Sequence, residues 1–357
     1  MTSRLASLRL TRRPLLAALA AAPFAGALAR VPGASAQDPI VVTMVTDTAG
    51  LGDQNFNDLA NAGLNRAIEE LGVDGKVIES RDAAAYIPNL TQAAEQSQLT
   101  IGIGFLLTEA ITEVAGQYPD GKFMLIDSVS EAPNVESVTF KEQEGAFLAG
   151  VLAALMTKSN KLGVVGGIKI PPVVRYAVGF EAGAKSVNPD IDVVVAYADT
   201  FDDPALGKEL TLAQYNQGVD IAFPVAGKTG VGSFDAAKEK GEGFWVIAAD
   251  TDQSQLGEEV QLAVAEKGVD TAVFLSAKEV VEGTFKGGAK TLGLAEDGVG
   301  LGHPNAAVPQ EALDTVAAYE QAIIDGTIVV PADEEELAAF TPVAIDTSAT
   351  PMATPAA

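Results

Sequence analysis

The stretch from Val41 to Gly72 constrains the fold of this chain more than any other. An apolar run, Val41 to Val45, gives way to a polar, glycine-bearing turn, Thr46 to Gln54. In the segment that follows, Leu59, Ala62, Gly63, Ala67, Ile68 and Leu71 recur at three- and four-residue spacing. The run predicts a buried strand and the spacing an amphipathic helix, together the first half of a βαβ unit. Ligands of open α/β sheets bind beyond the carboxyl ends of the strands. Asp47, Asp53, Asn55, Phe56 and Asn57 fall at such an end. Asn55 or Asn57 can cap the helix. Phe56, a large apolar group in a polar loop, either plugs a core or offers a flat face to a ligand.

The same alternation continues. Strands are predicted at Lys76–Glu79, Thr100–Leu106, Phe123–Ile126 and Val135–Phe140, with helices at Ala93–Gln98 and Thr108–Tyr118 between them. A Gly/Ala-rich helix, Gln143 to Met156, suits close packing of helix on sheet. A second cycle then starts, with strands at Lys161–Gly167, Ile191–Tyr197, Ile221–Val225 and Phe244–Ala249. Its helices are predicted at Val173–Ser186, Pro204–Gln217 and Gly232–Lys240. A similar α/β layout written twice predicts two lobes built on parallel sheets. A further strand, Thr271–Leu275, a helix, Ala277–Lys290, a late helix, Ala312–Asp325, and a last strand, Thr327–Val330, complete the reading. The signal fades after Glu334, and a tail rich in Thr, Ala and Pro is expected to be disordered.

Composition narrows the function. The chain has 357 residues, enough for two domains, and a formal net charge of -25. The first 36 residues hold five Arg and no acid, so the remainder is more acidic still. Such a surface repels nucleic acid and anionic membrane. There is no Cys and a single His, His303, in a Gly-His-Pro turn. Disulfides, thiolate nucleophiles and Cys- or His-clustered metal sites are thereby excluded. Arg12-Arg13 precede an apolar run, Leu15 to Leu28, and a small-x-small pattern, Ala34-Ser35-Ala36. Residues 1–36 therefore read as an export signal with twin-arginine character, the general secretory route being the alternative. A lipid anchor on an N-terminal Cys is not expected, and the protein should act outside the cytoplasmic membrane.

The candidate chemistry lies at strand ends. Asp47, Asp127 and Asp250, with Asp252 nearby, can accept hydrogen bonds from vicinal hydroxyls, do acid/base work, or serve as helix caps. Phe56 and Phe201 each sit in a polar loop, one per lobe, where two rings could sandwich a flat heterocycle or plug their loops. Gly227-Lys228-Thr229-Gly230 follows a strand but lacks the earlier glycine of a phosphate loop, so a backbone nest against a sugar or ring fits better. Lys278 could donate to a hydroxyl or pair with Asp250; otherwise it is a surface lysine. No Gly-x-Ser-x-Gly elbow is present.

Several motifs now resemble one family. Asp53-Gln54-Asn55-Phe56-Asn57, the run Phe140 to Gly150, Gly179-Phe180-Glu181-Ala182-Gly183-Ala184, Phe201-Asp202-Asp203-Pro204 and Asp250-Thr251-Asp252-Gln253 are similar to motifs of the basic membrane protein family. These are extracytoplasmic substrate-binding proteins of ABC transporters, related to purine nucleoside receptor lipoproteins. The resemblance implies an α/β, type I periplasmic-binding fold: two doubly wound lobes, three hinge crossovers, ligand in the cleft. Residues 37–141 and 278–297 would form lobe 1, residues 142–277 and 298–333 lobe 2, and 334–357 the tail. Phe56 and Phe201 would stack the base, Asn57 and Asp127 contact it, and Asp250 accept from the ribose, with Asp47, Gly227 and Lys278 beside them. The implied protein binds rather than catalyses, needs no cofactor or metal, is expected to be a monomer, and hands a nucleoside to a membrane permease. A sugar or signal-molecule receptor on the same fold and a nucleoside hydrolase are the rival readings.

Overall fold

A computed structural model describes residues 39–345; the expected export segment and residues 346–357 lie outside the described residues. Strands β1 (Val41–Val45), β2 (Asp74–Ile78), β3 (Leu99–Gly102), β4 (Phe123–Ile126) and β5 (Val135–Phe140) alternate with helices α1 (Phe56–Leu71), α2 (Tyr86–Gln96) and α3 (Thr108–Gln117). The chain then crosses to a second sheet. There α4 (Glu142–Met156), β6 (Lys161–Gly166), α5 (Pro171–Val187), β7 (Asp192–Tyr197), α6 (Pro204–Asn216), β8 (Ile221–Val225), α7 (Val231–Lys240), β9 (Trp245–Asp250) and β10 (Gln261–Lys267) follow. It returns to the first lobe as α8 (Val269–Glu282) and β11 (Gly288–Leu292), and crosses once more to β12 (Val299–Gly302), α9 (Gln310–Ile324) and α10 (Glu334–Ala339).

The strand orders are β11-β5-β4-β3-β1-β2 and β12-β10-β9-β8-β6-β7. Among the described residues all strand pairings are parallel except that of β12 with β10. Central strands read as the sequence requires. Every residue of β4, Phe-Met-Leu-Ile, and of β8, Ile-Ala-Phe-Pro-Val, is buried, the pattern of strands covered by helices on both faces. The three crossovers are tied together by backbone hydrogen bonds: Lys141 N donates to Leu292 O (2.9 Å) and Gly268 N to Gly298 O (2.9 Å).

The Gly/Ala-rich segment packs on the sheet, where a Cβ on Gly145 would lie 3.1 Å from the Gly300 carbonyl oxygen of β12, and more closely still on a neighbouring helix. A Cβ on Gly150 of α4 would lie 2.0 Å from the Phe180 carbonyl oxygen of α5, and one on Gly183 of α5 would lie 2.0 Å from the Phe147 carbonyl oxygen of α4. The glycines thus let the two backbones touch, and a backbone oxygen cannot swing aside as a side chain would. Overpacking costs about 1–3 kcal/mol. Gly150→Ala is expected at the upper end of that range, lowering the thermal midpoint by roughly 6–12 °C. A midpoint equal to the parent's would show that the helices can separate freely.

The C-terminal third differs from the sequence reading. Thr271–Leu275 is helical, not a strand: Val269, Ala272, Val273, Ser276, Ala277 and Val280 of α8 are buried at helical spacing. A short β-branched run supports either period, and here the packing surface of α1 decides. A Cβ on Gly63 of α1 would meet the Asp270 carbonyl oxygen at 2.2 Å, and the Arg66 guanidinium lies 3.9 Å from the Phe274 ring centroid. The segment belonging with the first sheet therefore starts at the beginning of α8, ahead of the expected residue 278. The predicted helix over Ala277–Lys290 stops at Gly283, in the left-handed region at φ 71°, and Gly288–Leu292 is strand β11. β10 and β12 were not expected, and Thr327–Val330 forms no strand.

Of the expected disordered tail, 334–357, the described residues 334–345 are ordered. Asp333 caps α10, its carboxylate accepting from Glu336 N (2.8 Å). Phe340 packs edge-on against Phe147 at 6.4 Å, and Tyr319 Oη donates to Val343 O (3.0 Å). Leu337, Phe340, Val343 and Ile345 thus pack against the core and order residues 334–345.

Candidate functional site

The carboxyl ends of both sheets open onto one cleft. From the first sheet come Asp47, Asp53, Phe56, Asn57, Gly104 and Asp127; from the second come Tyr176, Phe201, Gly227, Asp250 and Lys267. Ala49, Ile170, Val173 and Val225 supply apolar wall. The loops at the mouth are joined across the cleft, where Gln253 Nε2 donates to Gln54 O (2.8 Å).

Helix α1 is capped by Asp53, not by Asn55 or Asn57. The Asp53 carboxylate accepts from the backbone N–H groups of Asn55 (3.0 Å), Asn57 (2.8 Å) and Asp58 (3.1 Å). An ionised carboxylate with two oxygens serves a helix N-terminus better than a carboxamide, because it takes more donors and complements the helix dipole. Asn57 is thereby freed for another task. Its Nδ2 donates to Asp47 Oδ1 (2.9 Å) and Asp53 Oδ2 (3.0 Å), so both amide hydrogens are committed and the group cannot flip. Among the described residues its Oδ1 is left buried without a partner.

Asp127 and Asp250 occupy corresponding places, at the ends of β4 and β9. Both have left-handed backbone, φ 70° and 66°, a conformation Asp tolerates better than most residues. Asp250 Oδ1 accepts from Tyr176 Oη (2.7 Å). Asp127 Oδ2 accepts from Lys267 Nζ (2.7 Å), while Asp127 Oδ1 is a second buried acceptor without a partner among the described residues. Lys267 also lies 3.0 Å from Glu142 Oε1, and Arg175 Nε donates to Glu142 Oε2 (2.5 Å). Burial alone would depress the Lys267 pKa, but Asp127, Glu142 and Asp250 together raise it above the ordinary lysine value. Burial raises Asp127, and Glu142 and Asp250 reinforce this, against the pull of Lys267. Burial likewise pushes Asp47 up to about 6, against the hydrogen bonds from Asn57 and Ala49.

Lys278 is not part of the cleft. It sits mid-way along α8, 44% exposed, 3.8 Å from Glu282. The cleft lysine is Lys267, at the end of β10. Its sequence signal is a cation two residues beyond an apolar run, Leu262 to Ala265. Asp53, Gly104 and Tyr176 are further cleft residues, beside the apolar wall, to which the sequence assigns no role there.

Both phenylalanines face the cleft, each resting on a glycine. A Cβ on Gly104 would lie 3.3 Å from Phe56 Cε1, and one on Gly167 would lie 2.2 Å from Phe201 Cε1. Gly227, with φ 54°, passes under Phe201, its Cβ position 3.6 Å from that residue's Cβ. Removing side chains at these strand ends lets the rings lie back against the sheets and leaves a slot between the lobes.

Residues 40–334 match the profile of the Bmp family, described as ABC transporter substrate-binding protein PnrA-like. The chain belongs to this family. Among Bmp relatives, it is 38% identical over 310 residues to the ABC transporter nucleoside-binding protein BmpA of Lactococcus lactis subsp. cremoris, covering 81% of this chain and 88% of that protein. It is 37% identical over 276 residues to an uncharacterized lipoprotein of Pyrococcus horikoshii, covering 73% and 68%. Its fold matches the crystal structure of an ABC transporter solute-binding protein from Aeropyrum pernix, with TM-score 0.78 and 32% identity over 84% of this chain and 96% of that one. The Bmp protein is therefore a substrate-binding protein of an ABC transporter, with the two-sheet α/β fold of periplasmic binding proteins.

Proposed function

We propose that this protein is an exported nucleoside receptor that closes over a purine nucleoside and delivers it to the permease of its transporter. The observation that carries this reading is the pair of buried, unpartnered acceptors, Asn57 Oδ1 and Asp127 Oδ1, in a cleft flanked by Phe56 and Phe201. A buried acceptor left unpaired costs about 1–3 kcal/mol, so the fitting ligand brings N–H donors. The Asn57 amide orientation is fixed by two carboxylates, so this wall accepts and cannot donate. A base with an exocyclic amine, stacked between two rings, meets both conditions. Asp250, polarised by Tyr176, suits ribose hydroxyls. The name of the Lactococcus relative supports the same class, and the Arg12-Arg13 segment supports export.

Titration calorimetry with adenosine, guanosine, inosine, uridine and ribose tests the reading. Adenosine and guanosine should bind most tightly and ribose alone not measurably; ribose binding as tightly as the nucleosides would reject it. Phe56→Ala should weaken nucleoside binding by about 5- to 150-fold, since stacking on one aromatic ring is worth about 1–3 kcal/mol. Unchanged affinity would remove Phe56 from the site.

A further inference from the structure

The run from Phe140 to Gly150 spans the first crossover, and Glu142 within it is fully buried yet does not line the cleft. It stands in the first turn of α4. One carboxylate oxygen takes Arg175 from α5, and the other lies 3.0 Å from Lys267 at the second crossover. Lys267 then reaches into the first lobe to Asp127, whose remaining oxygen is the unpartnered cleft acceptor. The charges form one chain: Arg175, Glu142, Lys267, Asp127. It runs from the second lobe, through two of the three crossovers, to the ligand wall of the first.

We infer that Glu142 is a positioning residue: by holding the Lys267 ammonium between the two crossovers, it keeps one Asp127 oxygen free for the solute and fixes the placement of the lobes about the cleft. A lysine only 2% exposed cannot stay charged without partners. With Glu142 in place, Lys267 divides its pairing between two carboxylates and takes one oxygen of Asp127. Without that second anchor, nothing but Asp127 and Asp250 attracts the ammonium, and it moves onto the oxygens that the solute needs. Asp127 faces Lys267, Glu142 and Asp250, and Arg175 and Tyr176 complete the charged and titratable surroundings of Glu142 and Asp250. The inference deepens the nucleoside-receptor reading, and rests on it for the choice of probe.

Because the chain has no cysteine, spin labels attach only where Cys is introduced. Asp120→Cys on the first lobe and Glu242→Cys on the second are both exposed positions. Pulsed-dipolar distances and guanosine and adenosine calorimetry are read for the labelled parent, for Glu142→Gln and for both in a Lys267→Met background. Glu142→Gln should raise Kd about tenfold and broaden the ligand-free distance distribution. In the Lys267→Met background it should change neither further, because Glu142 acts through Lys267. Parent-like distances in Glu142→Gln, or an equal effect with Lys267 absent, would overturn the inference. If neither nucleoside binds the parent, the nucleoside reading fails, and the distance distributions alone decide the role of Glu142. Should Glu142→Gln not fold, Glu142→Asp keeps the charge but shortens its reach by one methylene. It carries the same expectation.

Discussion

Replacing Lys267 by Met is expected to destabilise the protein by about 3–5 kcal/mol, because it leaves buried carboxylates without their cation. The side chain is 2% exposed and lies 2.7 Å from Asp127 and 3.0 Å from Glu142, which are 7% and 0% exposed. Met matches the length of the alkyl stem, so the loss is one of charge rather than volume. For a unit of this size the thermal midpoint should fall by roughly 6–20 °C. The cause is separable by pH. As the pH falls, Asp127, whose pKa burial raises, takes up a proton and the penalty for the missing cation shrinks, so the gap between variant and parent should narrow in acid. A gap that is the same at pH 5 and pH 8 would assign the loss to packing. The Lys267 ammonium also lies 5.2 Å from the Phe56 ring centroid and 5.1 Å from that of Phe140. Its removal therefore loosens a stacking ring as well as the ion pairs, and solute affinity should fall with stability.

The contrast between Lys267 and Lys278 shows what a sequence can carry. Both stand near the second crossover, and spacing alone favours neither. What distinguishes Lys267 is a partner 140 residues away, Asp127, brought to it by the packing of two sheets. Short-range features were legible. β1 and α1 announce themselves because burial, period and turn chemistry agree within one stretch, and β4, β5 and β8 run over the expected residues. Phe56 and Phe201 stood out because a phenyl ring in a polar loop needs an explanation, and both line the cleft. Around α8 the local signals conflict: Thr-Ala-Val-Phe-Leu has strand propensity, while the buried positions follow a helical period set by α1. β10 begins and ends on buried polar residues, Gln261 and Lys267, which are intelligible only once their partners Gln253 and Asp127 are in place. The capping of α1 was misassigned for a related reason. Asp53 lies outside the usual cap position, and only the folded turn brings its carboxylate to three backbone N–H groups.

Asp47→Asn should make the protein more stable at pH 8 by up to about 3 kcal/mol, and no more stable at pH 4. The Asp47 carboxyl is 6% exposed, and burial pushes its pKa from 3.8 to about 6. Between those values the folded protein binds a proton that the unfolded chain has released. The stability contributed by the protonated group is complete below pH 3.8 and is lost as the pH rises through about 6. The separation of the two values corresponds to about 3 kcal/mol. Asn removes the charge but keeps the acceptor, since a single oxygen, Oδ1, takes both Ala49 N (3.0 Å) and Asn57 Nδ2 (2.9 Å). Thermal denaturation of parent and variant from pH 4 to pH 8 should show the two curves converging in acid, separating as the pH rises from 3.8 to about 6, and running parallel above that. A constant offset would mean that Asp47 titrates near its ordinary value. The same substitution should weaken solute binding at pH 8. Residues that raise the energy of the empty site, such as a buried carboxylate crowded by Asp53 and Asp202, are those a donor-bearing ligand relieves. A gain in stability coupled to a loss of affinity is the pattern expected of a binding residue rather than of a scaffold residue.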